Sequence, residues 1–153
     1  MSLLLSSFKI GEKMDALKKN DFHILRIDRG EKIVQSILEY AEREGIRAGF
    51  LWGIGATYSA EIGWFDPQAE VYRTRVIEQP CEITTLLGNI GRFEGKPIAH
   101  IHITLGLPDY SIVGGHLMEG TVGATCEIWI QEREVEIRRS VSNIGKLKLL
   151  DFS

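Results

Sequence analysis

The sequence predicts an α+β domain, a largely antiparallel β-sheet packed with one main α-helix. Two observations carry this. Only the stretch after Gly30 repeats its apolar residues at helical spacing, and the rest of the chain reads as short strand-like runs separated by glycine and turn residues. A third observation sets the scale: 153 residues with 44% hydrophobic content make one domain with a proper core and fall short of two.

In chain order, residues 1–20 read as a flexible or peripheral segment and residues 21–153 as a single domain. The opening apolar stretch, Leu3-Leu4-Leu5, lacks a positive start, a full apolar core and a small-residue cleavage site, so no signal peptide is expected. No apolar run reaches the roughly 20 residues that span a bilayer, so no membrane partner is expected and the expected location is the cytoplasm. Phe22 to Ile27 reads as a strand, and Asp28-Arg29-Gly30-Glu31 as a turn that opens the helix. Ile33, Ile37 and Ala41, with Val34 and Leu38, form one apolar stripe, and Gly45 is placed to stop the helix. Strands are then expected at Ala48–Gly53, Tyr58–Phe65, Val71–Glu78, Cys81–Ile90 and Ile98–Leu105. Four more follow at Ser111–His116, Thr121–Gln131, Val135–Arg139 and Lys146–Leu150. The helix lies between the first two strands of the domain, which allows that pair to be parallel.

Composition excludes several classes. The net charge of −3 runs against the basic bias of nucleic-acid-binding domains. Arg138-Arg139 and Lys18-Lys19 are isolated pairs that read as solvated faces, not as a phosphate track. Cys81 and Cys126 show no CxxC spacing and read as buried free thiols. Trp52, Trp64 and Trp129 read as packing residues, with an interface as the other use.

The histidines are the chemical signal. In the run Ile98 to Leu105, Ala99, Ile101, Ile103 and Leu105 share one face, and Ile98, His100, His102 and Thr104 the other. His100 and His102 therefore project together, about 7 Å apart at their Cβ atoms, from a side not used by the core. In Thr121 to Ile130, Val122, Ala124, Cys126, Ile128 and Ile130 share an apolar face. If the turn over Gly106 to Tyr110 makes a hairpin, His116 returns toward the start of the His100 strand, beside the Gly114-Gly115 pair, where bare backbone can approach a ligand. Neutral imidazoles suit zinc, copper, iron and nickel, and three of them leave a fourth position for water or substrate. The fourth histidine, His23, is isolated and reads as structural or exposed.

At these residues the sequence resembles the PPC domain family (plant and prokaryote conserved domain), in its stand-alone prokaryotic form without an AT-hook. The stretches that carry the resemblance are Arg26 to Glu31, Gly53-Ile54-Gly55-Ala56, and Glu82-Ile83 leading to Leu87-Gly88-Asn89-Ile90. Ala99-His100-Ile101-His102-Ile103 and Gly114-Gly115-His116-Leu117-Met118-Glu119-Gly120 complete it, over roughly Phe22 to Arg138. The resemblance implies an antiparallel sheet packed with a helix, a homotrimer, and zinc held by His100, His102 and His116. It also implies a distant fold similarity to acetolactate decarboxylases, which use a three-histidine zinc site. Family members carry a provisional DNA-binding designation; here DNA rests on that naming alone.

Three roles compete. The first is a metal-dependent enzyme or small-molecule binder, decarboxylase- or hydrolase-like. Its open zinc (or other divalent transition metal) would need a nearby acid or base, and Glu119 and Glu82 are the candidates for catalysis or for orienting a histidine. Gly114 and Gly115 are candidate ligand-lining positions, and Arg26 either holds an anion or forms a strand-edge salt bridge. The second role is a binding or assembly module presenting a surface to DNA or protein. The third is a set of histidines that hydrogen-bond across a subunit interface without metal.

Overall fold

Period-two alternation of apolar residues builds ten strands, and the helical stripe builds one helix, among residues 6–10 and 14–153, which this computed structural model describes. Residues 1–5 and 11–13, part of the segment read as flexible or peripheral, lie outside the described residues. The elements are β1 (Ser6–Ile10), β2 (Met14–Lys19), β3 (Phe22–Asp28), α1 (Ile33–Arg43), β4 (Gly49–Asp66) and β5 (Val71–Ile77). They continue as β6 (Cys81–Phe93), β7 (Lys96–Gly106), β8 (Ile112–Glu132), β9 (Arg138–Val141) and β10 (Lys148–Asp151). β1 and β2 add a hairpin to the outer edge of β3, where Met14 and Ala16 are buried.

Two pairs of expected strands are single long strands. Ala48–Gly53 and Tyr58–Phe65 merge into β4, and Ser111–His116 and Thr121–Gln131 merge into β8. The intervening glycines make bulges rather than breaks: the register of β4 against β6 shifts between Gly53 and Gly55. Gly55 has φ +152°, and a Cβ there would meet the Thr125 carbonyl oxygen at 2.2 Å. A second irregularity, between Gly55 and Thr57 where β4 pairs with β8, turns Ala124 outward, against the expectation that it shares the apolar face of Val122 and Cys126.

β8 is flanked by β3 on one edge and β4 on the other, antiparallel to both. The strands on either side of the helix therefore run in the same direction, with β8 inserted between them instead of pairing directly. The one parallel contact among the described residues is Arg92 opposite Arg138, between β6 and β9. β7 pairs with β6 and with the first residues of β8, so the pairing β4–β6–β7–β8 closes on itself.

The helix buries Ile33, Ile37, Tyr40 and Ala41, largely the stripe read from sequence. These pack with Ile101, Ile103 and Leu105 of β7 and Cys126, Ile128 and Ile130 of β8 in one core. Gly45 ends the helix at φ +69°. Its start is unusual, because Lys32 offers no side-chain cap. Glu119 of β8 does so from 85 residues away: Val34 N–H donates to its Oε1 at 2.8 Å and Gln35 N–H to its Oε2 at 3.1 Å. A carboxylate there also meets the positive end of the helix dipole.

His23 is structural and fully buried. Its Nδ1 lies 2.9 Å from the Tyr40 hydroxyl and its Nε2 3.2 Å from Glu132 Oε2. Both contacts are satisfied when Tyr40 O–H donates to Nδ1 and Nε2–H donates to the carboxylate, so the neutral ring suffices.

Two predictions follow from these contacts. Burial outweighs the Glu132 carboxylate and holds the His23 pKa below 6.5. As pH falls the unfolded chain takes the proton first, so stability is full above about pH 6.5 and declines below it until the folded pKa is reached. The slope from one such residue is at most about 1.4 kcal/mol per pH unit. Denaturant midpoints at pH 7.5 and 5.5 should differ less in His23→Gln than in the parent; an unchanged difference would exonerate this residue. Glu119→Gln should cost about 1 kcal/mol of stability through the weakened helix start and leave metal content unaltered. Lost metal at parental stability would place Glu119 with the histidines instead.

Candidate metal centre

β-strand alternation does the first part of the assembly. Ile101, Ile103 and Leu105 of β7 are buried in the core, which turns His100 and His102 to the opposite face. The hairpin between β7 and β8 then sets His116 directly opposite His102. The ring centroids are 5.2 Å apart for His100 and His102, 5.1 Å for His100 and His116, and 5.7 Å for His102 and His116. One ligand nitrogen from each lies within 4.8 Å of the others.

The donor set fits a divalent transition metal. Zinc–nitrogen bonds of about 2.0–2.1 Å place neighbouring nitrogens roughly 3.4 Å apart, which rotation of the rings supplies. Burial lowers the His100 pKa, helped by Arg139 and His102. Burial pushes His116 down to about 4, with His100, His102 and Arg139 adding to the effect. Both rings are thus neutral at neutral pH, the form that ligates. His116 Nδ1 is buried and finds no hydrogen-bond partner among the described residues. An unpartnered buried nitrogen of this kind is free to coordinate an electrophile.

The other expected site residues separate from this group. Glu119 turns its carboxylate to the helix and to its neighbour Gly120 N–H, at 2.8 Å from Oε1. Glu82 is exposed and faces Gly106, which lies four residues beyond His102, about 13 Å along β7. Gly114 and Gly115 do keep backbone bare, but for neighbouring strands. A Cβ on Gly114 would meet the Ile103 carbonyl oxygen at 2.7 Å, and one on Gly115 the Gly63 carbonyl oxygen at 2.6 Å. Arg26 forms salt bridges with Asp15 and Asp28 at the sheet surface.

Sequence reasoning missed Arg139. Read with Arg138 as a solvated pair, it is buried, whereas Arg138 is exposed and bonded to Glu136. Arg139 reaches over β6: its Nη2 donates to Asn89 Oδ1 at 2.7 Å, and Asn89 lies directly opposite His100. Tyr72 was also missed; its ring centroid is 5.1 Å from that of His116. Alternation along the four-residue β9 was the one available signal, and it does not say which face is covered.

The same outer face carries an aromatic cluster. Leu87 lies opposite His102, Trp52 opposite Leu87, and Trp129 opposite Trp52. The two indoles are stacked with centroids 6.4 Å apart, and Phe22 and Phe50 join them. Leu87, Phe50 and Ile54 are exposed, and Trp64 is exposed elsewhere on β4.

The sequence pattern of the Plants and Prokaryotes Conserved (PCC) domain matches residues 14–134. Similar solved structures include a metal-containing protein from Archaeoglobus fulgidus, 32% identical, with a TM-score of 0.80 over 94% of this chain and 99% of that one. A provisionally designated DNA-binding protein from Bacteroides thetaiotaomicron is 28% identical, with a TM-score of 0.84 over 97% of each chain. A plant- and prokaryote-conserved protein from Pyrococcus horikoshii is 27% identical, with a TM-score of 0.80 over 99% of this chain and 96% of that one. No protein of curated function matches this chain.

Proposed function

Because this chain belongs to the Plants and Prokaryotes Conserved domain family, we propose that it is a metal-binding member that holds zinc, or another divalent transition metal, on His100, His102 and His116. The observation that carries the reading is the convergence of three imidazole nitrogens within 4.8 Å. The relative from Archaeoglobus fulgidus, described as metal-containing, supports it. When bound by three neutral ligands the ion keeps its charge and an open position, and so acts as a Lewis acid toward water or a carbonyl. What the chain supplies is orientation: core packing of β7 fixes two rings, and the β7–β8 hairpin fixes the third.

We favour a binding site over an enzyme of the decarboxylase or hydrolase kind. Glu119 is engaged at the helix start, and no acidic residue is among the described residues that line the cavity at His100 and His116. We further propose a cytoplasmic homotrimer that covers the face bearing Phe50, Trp52 and Trp129. An exposed aromatic cluster of this kind marks an interaction surface. DNA contact, suggested by the designation of the Bacteroides relative, meets a chain of net charge −3.

Metal analysis of protein purified without a nickel column should find close to one equivalent per chain, and His102→Ala should hold little. Wild-type metal in that variant removes the proposed ligand set. Sedimentation equilibrium should give three times 17.2 kDa, unchanged by a DNA duplex at low salt, where phosphate contacts are strongest. A monomer would refute the assembly, and a salt-sensitive complex would restore the DNA reading.

A further inference from the structure

Beside the histidines lies a cavity of about 420 Å³, within the range of small-molecule sites. His100, His116 and Arg139 line it together with Lys146 and Lys148, while Ile98, Met118, Leu147 and Leu149 supply apolar wall. The cationic side is built and not accidental. Arg139 is 8% exposed and is fixed by two hydrogen bonds, Nη1 to the Lys148 carbonyl oxygen at 2.7 Å and Nη2 to Asn89 Oδ1 at 2.7 Å. Both acceptors are neutral. Its Nε is buried and has no hydrogen-bond partner among the described residues, and no carboxylate pairs with it there. Burying a guanidinium this way is costly unless an anion completes it. Lys148 also lines the cavity, and its Nζ lies 4.3 Å from the Phe93 ring centroid. Arg139 and Lys148 lie on the C-terminal hairpin, β9 and β10, beyond the matched residues 14–134, and Lys146 lies between the two strands.

We propose that this cavity binds a small organic carboxylate, with the carboxylate on Arg139 and the apolar part against Ile98, Met118 and Leu147, beside the metal held by the three histidines. This rests on the metal reading for the ligand's second contact, whereas the contact with Arg139 stands without it. A carboxylate suits the site better than inorganic phosphate, because half the lining is apolar and phosphate offers nothing to it. An anion also relieves the repulsion between the guanidinium and a divalent ion, so ligand and metal should strengthen each other's binding.

The probe is isobutyrate, titrated into ¹⁵N-labelled full-length protein, metal-free and zinc-loaded, while the Arg139 Nε–H resonance is followed. That resonance is assigned by its loss in Arg139→Lys. A saturable shift is expected in both forms, with zinc lowering the isobutyrate needed by about tenfold, a coupling of ordinary size. Isobutyramide, the same shape without the charge, and inorganic phosphate should bind at least about tenfold more weakly. By calorimetry, Arg139→Gln should weaken isobutyrate binding by a similar factor. An Arg139 resonance that does not move, or equal binding of isobutyramide, overturns the inference, and the wild-type resonance decides it even where a variant folds poorly. If zinc itself fails to bind, the metal reading falls, and the metal-free titration still judges the carboxylate site.

Discussion

The whole arrangement hangs on the pairing of β8, 21 residues long, with three strands at once. Its C-terminal half is held between β3 and β4, and its N-terminal end pairs with β7 on one edge and β4 on the other. Strand pairing alternates side chains across the sheet, so the register of each stretch between bulges fixes the face it presents. Cys126, Ile128 and Ile130 go to the core, His116 goes out to the other two histidines, and Glu119 reaches the start of the helix. Core, site and helix start are thus set by a single ladder.

That dependence explains what could be read from the sequence. The helix was legible because its apolar stripe repeats over several turns, and the face of His100 and His102 was legible because strict alternation surrounds them. The place of His116 beside the other two needed the hairpin, and the family resemblance pointed to it more firmly than spacing did. Strand number was misread at Gly53–Gly55 and again near Gly120, because glycine marks both a turn and a bulge. The role of Glu119 was invisible: its partners, Val34 and Gln35, are 85 and 84 residues distant and are backbone groups, which leave no trace in composition. Arg139 was hidden for a related reason. A doublet of arginines looks solvated until the strand beneath it is known, and Asn89 gives no sign in sequence that it holds a guanidinium.

Electrostatics separates the two polar centres of the molecule. At His23 a hydroxyl and a carboxylate saturate both ring nitrogens, and the neutral ring becomes part of the packing. At His116 burial is comparable in consequence, yet Nδ1 is left without a partner and the nearest charges are cationic. The first pattern is that of a residue whose interactions are complete, the second that of one with a nitrogen left to bond something from outside. The same contrast holds for Arg26, paired twice with carboxylates, and Arg139, paired with none among the described residues.

One consequence concerns how such a chain can vary over generations. His116 and Glu119 sit on opposite faces of the same strand, three positions apart, and serve two unrelated neighbours. Exchange of one residue for another at an exposed place such as Ala124 disturbs neither. Gain or loss of a single codon between them would rotate one of the two to the wrong side unless a bulge absorbed it, like the irregularity already present between Leu117 and Glu119. The segment is therefore more open to drift in its letters than in its length, and the turn Pro108 to Tyr110 shares that constraint, because its length sets His116 opposite His102.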